Sequence, residues 1–194
     1  MSAIDTEGSS IYLYISDPAR MKETNMDIVS QLTAEGNACI IITTNIPSSI
    51  LKKLYEKRGI PLNQIYFIDS ITKYSLGTAP INQSNTTFTS NPGNLTELGI
   101  AISEALKKRQ GDHTALLFDS ISTLLIYLSS PNISKFIHFV SNKIRLLDLR
   151  AVYLSAEKGL DPLLLTQISS IVDEVVENQK EERSVGGSLS KELP

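Results

Sequence analysis

The chain has 194 residues, with 18 Lys and Arg against 21 Asp and Glu, and an apolar fraction of 41%. A net charge of −3 with no dense Lys/Arg cluster argues against nucleic acid as the main partner, because phosphate neutralisation needs several clustered cations. A lone cysteine builds no disulfide framework, and a chain of this length buries enough surface to fold without disulfide or metal staples.

Residues 1–7 lack a basic start and an apolar h-region, and no run approaches the roughly 18 apolar residues of a membrane span. We therefore expect a soluble, unprocessed, cytoplasmic protein that makes no membrane contact. The glycosylation sequons at Asn85, Asn94 and Asn132 read as chance matches in a chain rich in Ser, Thr and Asn.

The first apolar run, residues 11–15, is β-branched and aromatic and stops at Ser16-Asp17-Pro18, so it reads as a buried strand ending in a turn. Residues 21–35 form a helix with Met26, Val29 and Leu32 on one side and Gly36 as its stop. Ala38–Thr43 is the second strand, with Cys39 read as a small buried side chain. Pro47-Ser48 opens a helix carrying Ile50, Leu51, Leu54 and Tyr55 inward and Lys52, Lys53 and Lys57 outward. Residues 65–68 are the third strand.

Beyond it, residues 69–92 lose all apolar periodicity, giving a connection of about 24 residues that is either functional or disordered. Its Tyr74, Leu76, Ile81 and Phe88 are candidates for anchoring a partner or a sister subunit. Asn94 and Glu97 form a capping box for a helix reaching Lys108. Residues 115–118 are the fourth strand, and the stripe Ile133, Phe136, Ile137, Val140, Ile144 and Leu147 marks the next helix. Residues 151–154 form the fifth strand, Asp161-Pro162 starts a helix, and Val175-Val176 lies in a sixth strand. The pattern predicts one domain over residues 1–178, with a long loop at 70–93 and a disordered polar tail at 179–194. Its class is α/β: a three-layer, doubly wound, mostly parallel sheet of about six strands.

In such folds the ligand crevice lies beyond the carboxyl ends of the strands. The residues there are Ser16-Asp17, Thr43-Thr44-Asn45, Asp69-Ser70, Asp119-Ser120 and Ser155-Ala156-Glu157. An Asp closing Leu116-Leu117-Phe118 has the pattern of a Walker B carboxylate, which holds magnesium beside nucleotide phosphates; Asp is also a common helix cap. A phosphate loop needs glycines so that backbone N–H groups can approach the phosphates. The junction here, residues 16–24, contains none: Pro18 removes a donor and Glu23 adds a like charge, leaving Lys22 as a solvated helix residue. His113 and His138 sit in no metal-ligand spacing, and Gly-x-Ser-x-Gly does not occur.

Taken together, residues 11–24, Leu116-Leu117-Phe118-Asp119-Ser120 with Ser122, and residues 171–176 resemble the RecA superfamily, in particular KaiC-like domains of archaeal type that lack the Walker A loop. The resemblance spans about residues 8–177, is most family-like over 118–153, and implies a RecA/KaiC-like core with strand order 3-2-4-5-1-6. KaiC-like ATPases also carry an acidic pair after the second strand to position the attacking water, where this chain has Thr43-Thr44-Asn45.

The reading is therefore a non-catalytic KaiC-like domain, regulatory or signalling, working by self-association or by docking on a protein such as a KaiC-like ATPase. No catalytic residue and no cofactor is assigned. The alternative is an unorthodox ATP-binding protein in which Lys22, Thr24, Asp119 and Ser120 contact the nucleotide and Asp119 holds its magnesium. A third class is an enzyme of unrelated chemistry in which Asp69, Asp119 and Glu157 converge in the crevice.

Overall fold

The computed structural model describes residues 10–81, 83–109 and 113–177; the expected tail at 179–194 lies outside them. Seven strands form one sheet: β1 (Ile11–Ser16), β2 (Ala38–Thr43), β3 (Ile65–Asp69), β4 (Thr86–Phe88), β5 (Thr114–Asp119), β6 (Arg150–Ala156) and β7 (Glu174–Glu177). The helices are α1 (Met21–Ala34), α2 (Ser48–Lys57), α3 (Thr72–Leu76), α4 (Leu95–Lys108), α5 (Ser130–Leu146) and α6 (Pro162–Ser169). Every strand pair is parallel, in the order β4-β3-β2-β5-β6-β1-β7. With β4 set aside, this is the 3-2-4-5-1-6 order that the resemblance implies.

The two-residue period of each strand sorts its side chains into two cores. Ile11, Leu13, Ile40, Ile42, Leu116, Phe118, Ala151 and Tyr153 pack under α4, α5 and α6. Their neighbours Tyr12, Tyr14, Cys39, Ile41, Ala115, Leu117, Val152 and Leu154 pack under α1 and α2. Cys39 is fully buried, and burial pushes its thiol up to about 12, so it stays protonated and inert at neutral pH. The sheet is thus covered on both faces, and its strand ends are the surfaces left for chemistry.

Two helix faces differ from expectation. In α1 the buried stripe runs through Asn25, Ile28, Val29 and Leu32, whereas Met26 is only partly buried, because the helix is rotated to aim Asn25 at the sheet. In α2, Ile50 is exposed and Leu54 only partly buried. Its Lys52, expected to point outward, donates to Gln83 Oε1, the Ser84 carbonyl and Thr86 Oγ1 at 2.9–3.1 Å and lies over the Phe67 ring.

The long connection is not structureless. It contains α3 and β4, the latter paired with β3 through Phe67, Ile68 and Asp69. Polar side chains from elsewhere hold it, which is why apolar periodicity does not reveal it. Lys52 grips one end, and Tyr66 shares a 2.6 Å hydrogen bond with Thr87. The Asp69 carboxylate accepts from the N–H groups of Ser48, Ile71 and Thr72 and from the Thr72 hydroxyl, capping α2 and α3 together. The capping box at α4 is half formed: Asn94 accepts from the Glu97 N–H at 3.1 Å, while the Glu97 carboxylate turns to Ser90. Replacing Asp69 by Ala leaves these donors without their acceptor, and urea unfolding is expected to show a loss of about 2–4 kcal/mol.

Candidate functional site

At the carboxyl ends of β1, β2, β5 and β6 the chain leaves a cleft of about 600 Å³. Lys22, Asn45, Asp119, Ser120, Ser122 and Thr123 supply its polar lining, with Met21, Ile46 and Ala156 among the apolar members. Lys22, Asp119 and Ser120, three of the four nucleotide-contact candidates, therefore share one cleft. Thr24 does not line it: its buried hydroxyl shares a 2.7 Å hydrogen bond with Ser16 Oγ, tying α1 to the end of β1.

Where a phosphate loop would lie, the chain makes a single 3-10 turn, Pro18–Arg20, that runs directly into α1. Asp17 closes this turn on itself. Its Oδ1 accepts the Ala19 N–H at 2.9 Å, and its carbonyl accepts the Arg20 N–H at 2.9 Å. Pro18 has no N–H to offer. The two amides that follow Pro18 are thus already taken within the turn, one by the Asp17 carboxylate and one by its carbonyl, while α1 itself starts without a side-chain cap. Lys22 is exposed at the rim.

Asp119 is 3% exposed at the floor. Its Oδ2 accepts from Asn25 Nδ2 at 2.8 Å, and Asn25 Oδ1 in turn accepts from the Tyr55 hydroxyl at 2.6 Å. This chain crosses from α2 through α1 to β5 entirely inside the protein. Burial raises the Asp119 carboxyl to about 6, against the opposing hydrogen bond from Asn25. Tyr55 is pushed well above its ordinary range, chiefly by burial, so it remains the donor.

The Asp119–Ser120 peptide is cis. Ser120 Oγ hydrogen-bonds to Ser122 Oγ and Thr123 Oγ1, and Ser122 Oγ accepts the Ala156 N–H at 3.2 Å, so a hydroxyl cluster joins β5 to β6 beside the carboxylate. Gly159 allows this closure, since a Cβ there would lie 2.8 Å from both Ser122 Cβ and the Ala156 carbonyl oxygen. After β2, the Thr43 hydroxyl donates to the Ile46 carbonyl and the Thr44 hydroxyl to the Ser120 carbonyl. Asn45 is the member of that trio that faces the cleft.

The acidic residues of the third function class do not converge. Asp69 and Asp119 are both register partners of Thr43, so two strand spacings, roughly 10 Å, separate them. Asp69 is consumed by its caps, and Glu157 is exposed and does not line the cleft. Among the described residues no cluster of three His, Cys, Asp or Glu could hold a metal, and His113 and His138 are exposed. Sequence reasoning misses Asn25 and Gly159 and reads Tyr55 only as an inward residue of α2. Asn25 leaves a trace, as a polar residue three and four places before Ile28 and Val29 on the buried stripe.

Residues 17–178 match a family of unknown function (DUF7504). The chain belongs to that family. No curated protein matches it. Among solved structures it is similar to the uncharacterised protein PH0321 from Pyrococcus horikoshii, solved in complex with an unknown peptide. The TM-score is 0.68 at 12% identity, covering 89% of this chain and 78% of that one. It is also similar to the KaiC-like protein PH0186 from Pyrococcus horikoshii OT3, with TM-score 0.60 at 13% identity over 90% of this chain and 74% of that one. At such identities the likeness concerns the fold, which is KaiC-like. No helix among the described residues is long and apolar enough to cross a membrane.

The buried carboxylate makes a stability test possible. The folded protein holds the Asp119 proton more tightly than the unfolded chain does. Stability from this group is therefore fully present below the ordinary carboxylate range and is lost as pH rises through about 6. Asp119→Asn keeps an acceptor for Asn25 without the charge. It is expected to be more stable than wild type by about 3 kcal/mol at pH 7.5, with the advantage fading towards pH 4. Urea midpoints at both pH values check this, and an advantage independent of pH would trace it to something other than ionisation.

Proposed function

We propose that the chain is a non-catalytic KaiC-like domain with a degenerate nucleotide site, working in regulation or signalling through protein contacts. The observation that carries this reading is Asp17. Its carboxylate and carbonyl take the N–H groups of Ala19 and Arg20 at the junction where KaiC-like ATPases cradle phosphates. A triphosphate would have to displace the Asp17 carboxylate from the Ala19 N–H against like-charge repulsion. Loss of catalysis is supported separately by Thr44 and Asn45, which stand where the family's water-positioning carboxylates lie and cannot accept a proton at neutral pH. The peptide found with PH0321 supports protein or peptide contacts for a domain of this shape. So do Tyr74, Leu76 and Ile81, which are exposed on the connection between β3 and β4, whereas Phe88 is half-buried in β4.

A second reading keeps nucleotide binding without strong hydrolysis. It is favoured by one observation: Lys22 and Asp119 line the same cleft, whose volume falls in the range of small-molecule sites. Magnesium would sit at Asp119 beside the Ser120 hydroxyl.

Calorimetric titration of the magnesium-supplemented protein with ATP and with ADP separates the two. The expected result is no binding heat up to about 1 mM nucleotide. Micromolar binding that weakens at least about tenfold in both Lys22→Ala and Asp119→Ala would establish the second reading instead.

A further inference from the structure

The lining of the strand-end cleft carries one negative and one positive side chain, Asp119 and Lys22. They sit at opposite depths: Asp119 is buried at the floor, and Lys22 is exposed at the rim. The groove between α4 and α5, about 450 Å³, and the pocket beside α6, about 350 Å³, have a single charged side chain each, Glu104 and Lys158. The cleft is polarised along its depth, and those two cavities are not.

Asp119 uses only half of its capacity inside the protein. Its Oδ2 accepts from Asn25 Nδ2 at 2.8 Å, whereas Oδ1 accepts from no described residue. Nor is Oδ1 sealed in, as the unpartnered hydroxyls of Ser70 and Thr89 are, so this oxygen is the one that opens on the cleft. Burial raises the carboxyl to about 6, which still leaves it mostly ionised at pH 7.5. A carboxylate drawn out of water is held best by a donor that is itself charged.

The shape of the vacancy selects among charged donors. A guanidinium pairs best with both oxygens of a carboxylate, and Asn25 has taken one of them. An ammonium is compact and brings three donors, one for Oδ1 and two for acceptors such as the Asn45 amide oxygen and the Thr123 hydroxyl, which line the same cleft. Lys22 lies three residues before Asn25 on α1, hence on the same side of the helix and about 4.5 Å nearer its start. It forms no ion pair among the described residues, so its charge is free for an anionic group at the rim. Met21, Ile46 and Ala156 supply apolar wall between the two charges.

We infer that the cleft binds a free α-amino acid with an apolar side chain, its ammonium on Asp119, its carboxylate toward Lys22 and its side chain against Met21, Ile46 and Ala156. The volume of about 600 Å³ lies within the range of small-molecule sites. The inference rests on the reading of this cleft as a degenerate nucleotide site, and it gives a regulatory domain a small-molecule input.

Calorimetric titration of the purified chain at pH 7.5 with L-leucine, L-methionine, L-valine and L-phenylalanine, with EDTA in place of magnesium, tests it. At least one is expected to bind with Kd below about 1 mM. For that amino acid, the decarboxylated amine, the deaminated acid and the carboxamide, which stands for the N-terminus of a peptide, should each bind at least about tenfold more weakly. Lys22→Ala, at an exposed position, should weaken binding about tenfold. In Asp119→Asn the Asn25 donor takes the new side-chain oxygen and turns an NH2 group toward the cleft, so binding should be lost while circular dichroism is unchanged. No binding of any of the four up to about 10 mM, a deaminated acid or a carboxamide that binds as tightly as its parent, or undiminished binding to folded Asp119→Asn would each overturn the inference. Because magnesium is absent, failure here is separate from failure of the degenerate-site reading, which shows as magnesium-dependent ATP binding.

Discussion

An all-parallel sheet must be covered on both faces, and that constraint arranges everything else in this molecule. Each of the five inner strands spends its side chains alternately on the α4–α5–α6 core and the α1–α2 core, leaving no free face for a ligand. The crossovers return over the sheet, so the residues just past the strand ends are the ones freed from packing. Asp17, Asn45, Asp119, Ser120 and Ala156 occupy that position together because the topology brings β1, β2, β5 and β6 side by side, although the sequence scatters them across the chain.

Within that frame, Asp119 runs against the rules of stability. A carboxylate sealed among apolar strands and held by one amide costs free energy at neutral pH. Asn25 and Tyr55 are spent on orienting it: one hydrogen bond on the carboxylate and one behind the amide fix the side chain in place. Such a group, kept at a strand end in a cleft, is the usual mark of a functional site. The β1–α1 junction is closed by its own acidic residue, since Asp17 takes the Ala19 N–H with its carboxylate and the Arg20 N–H with its carbonyl. The two features set a buried carboxylate and a self-capped β1–α1 junction at the same end of the sheet.

The connection between β3 and α4 works on a different principle from the rest. No apolar stripe organises it; Asp69 at the end of β3 and Lys52 on α2 hold it by hydrogen bonds to backbone and side-chain groups. This leaves Leu76 and Ile81 exposed on the connection, while the α4–α5 groove offers a separate apolar surface on one flank.

The sequence by itself determined the alternation of strands and helices, the α/β class, and the strand-end position of Asp119, because burial on both faces imposes periods that can be read residue by residue. Helix boundaries were equally legible at Asn94 and at Asp161, since capping is a local matter of one side chain and the next turn. Helix rotation was not, as Met26 and Ile50 show: which face is buried depends on the neighbour it meets. Strand β4 and helix α3 stayed hidden because their partners, Lys52, Tyr66 and Asp69, are recruited from other elements. The same holds for the Tyr55–Asn25–Asp119 chain, whose members lie 30 and 94 positions apart, and for the packing of Gly99 under two rings of α5. Tertiary structure alone decided these, because a hydrogen bond or contact between distant residues leaves no period in the chain.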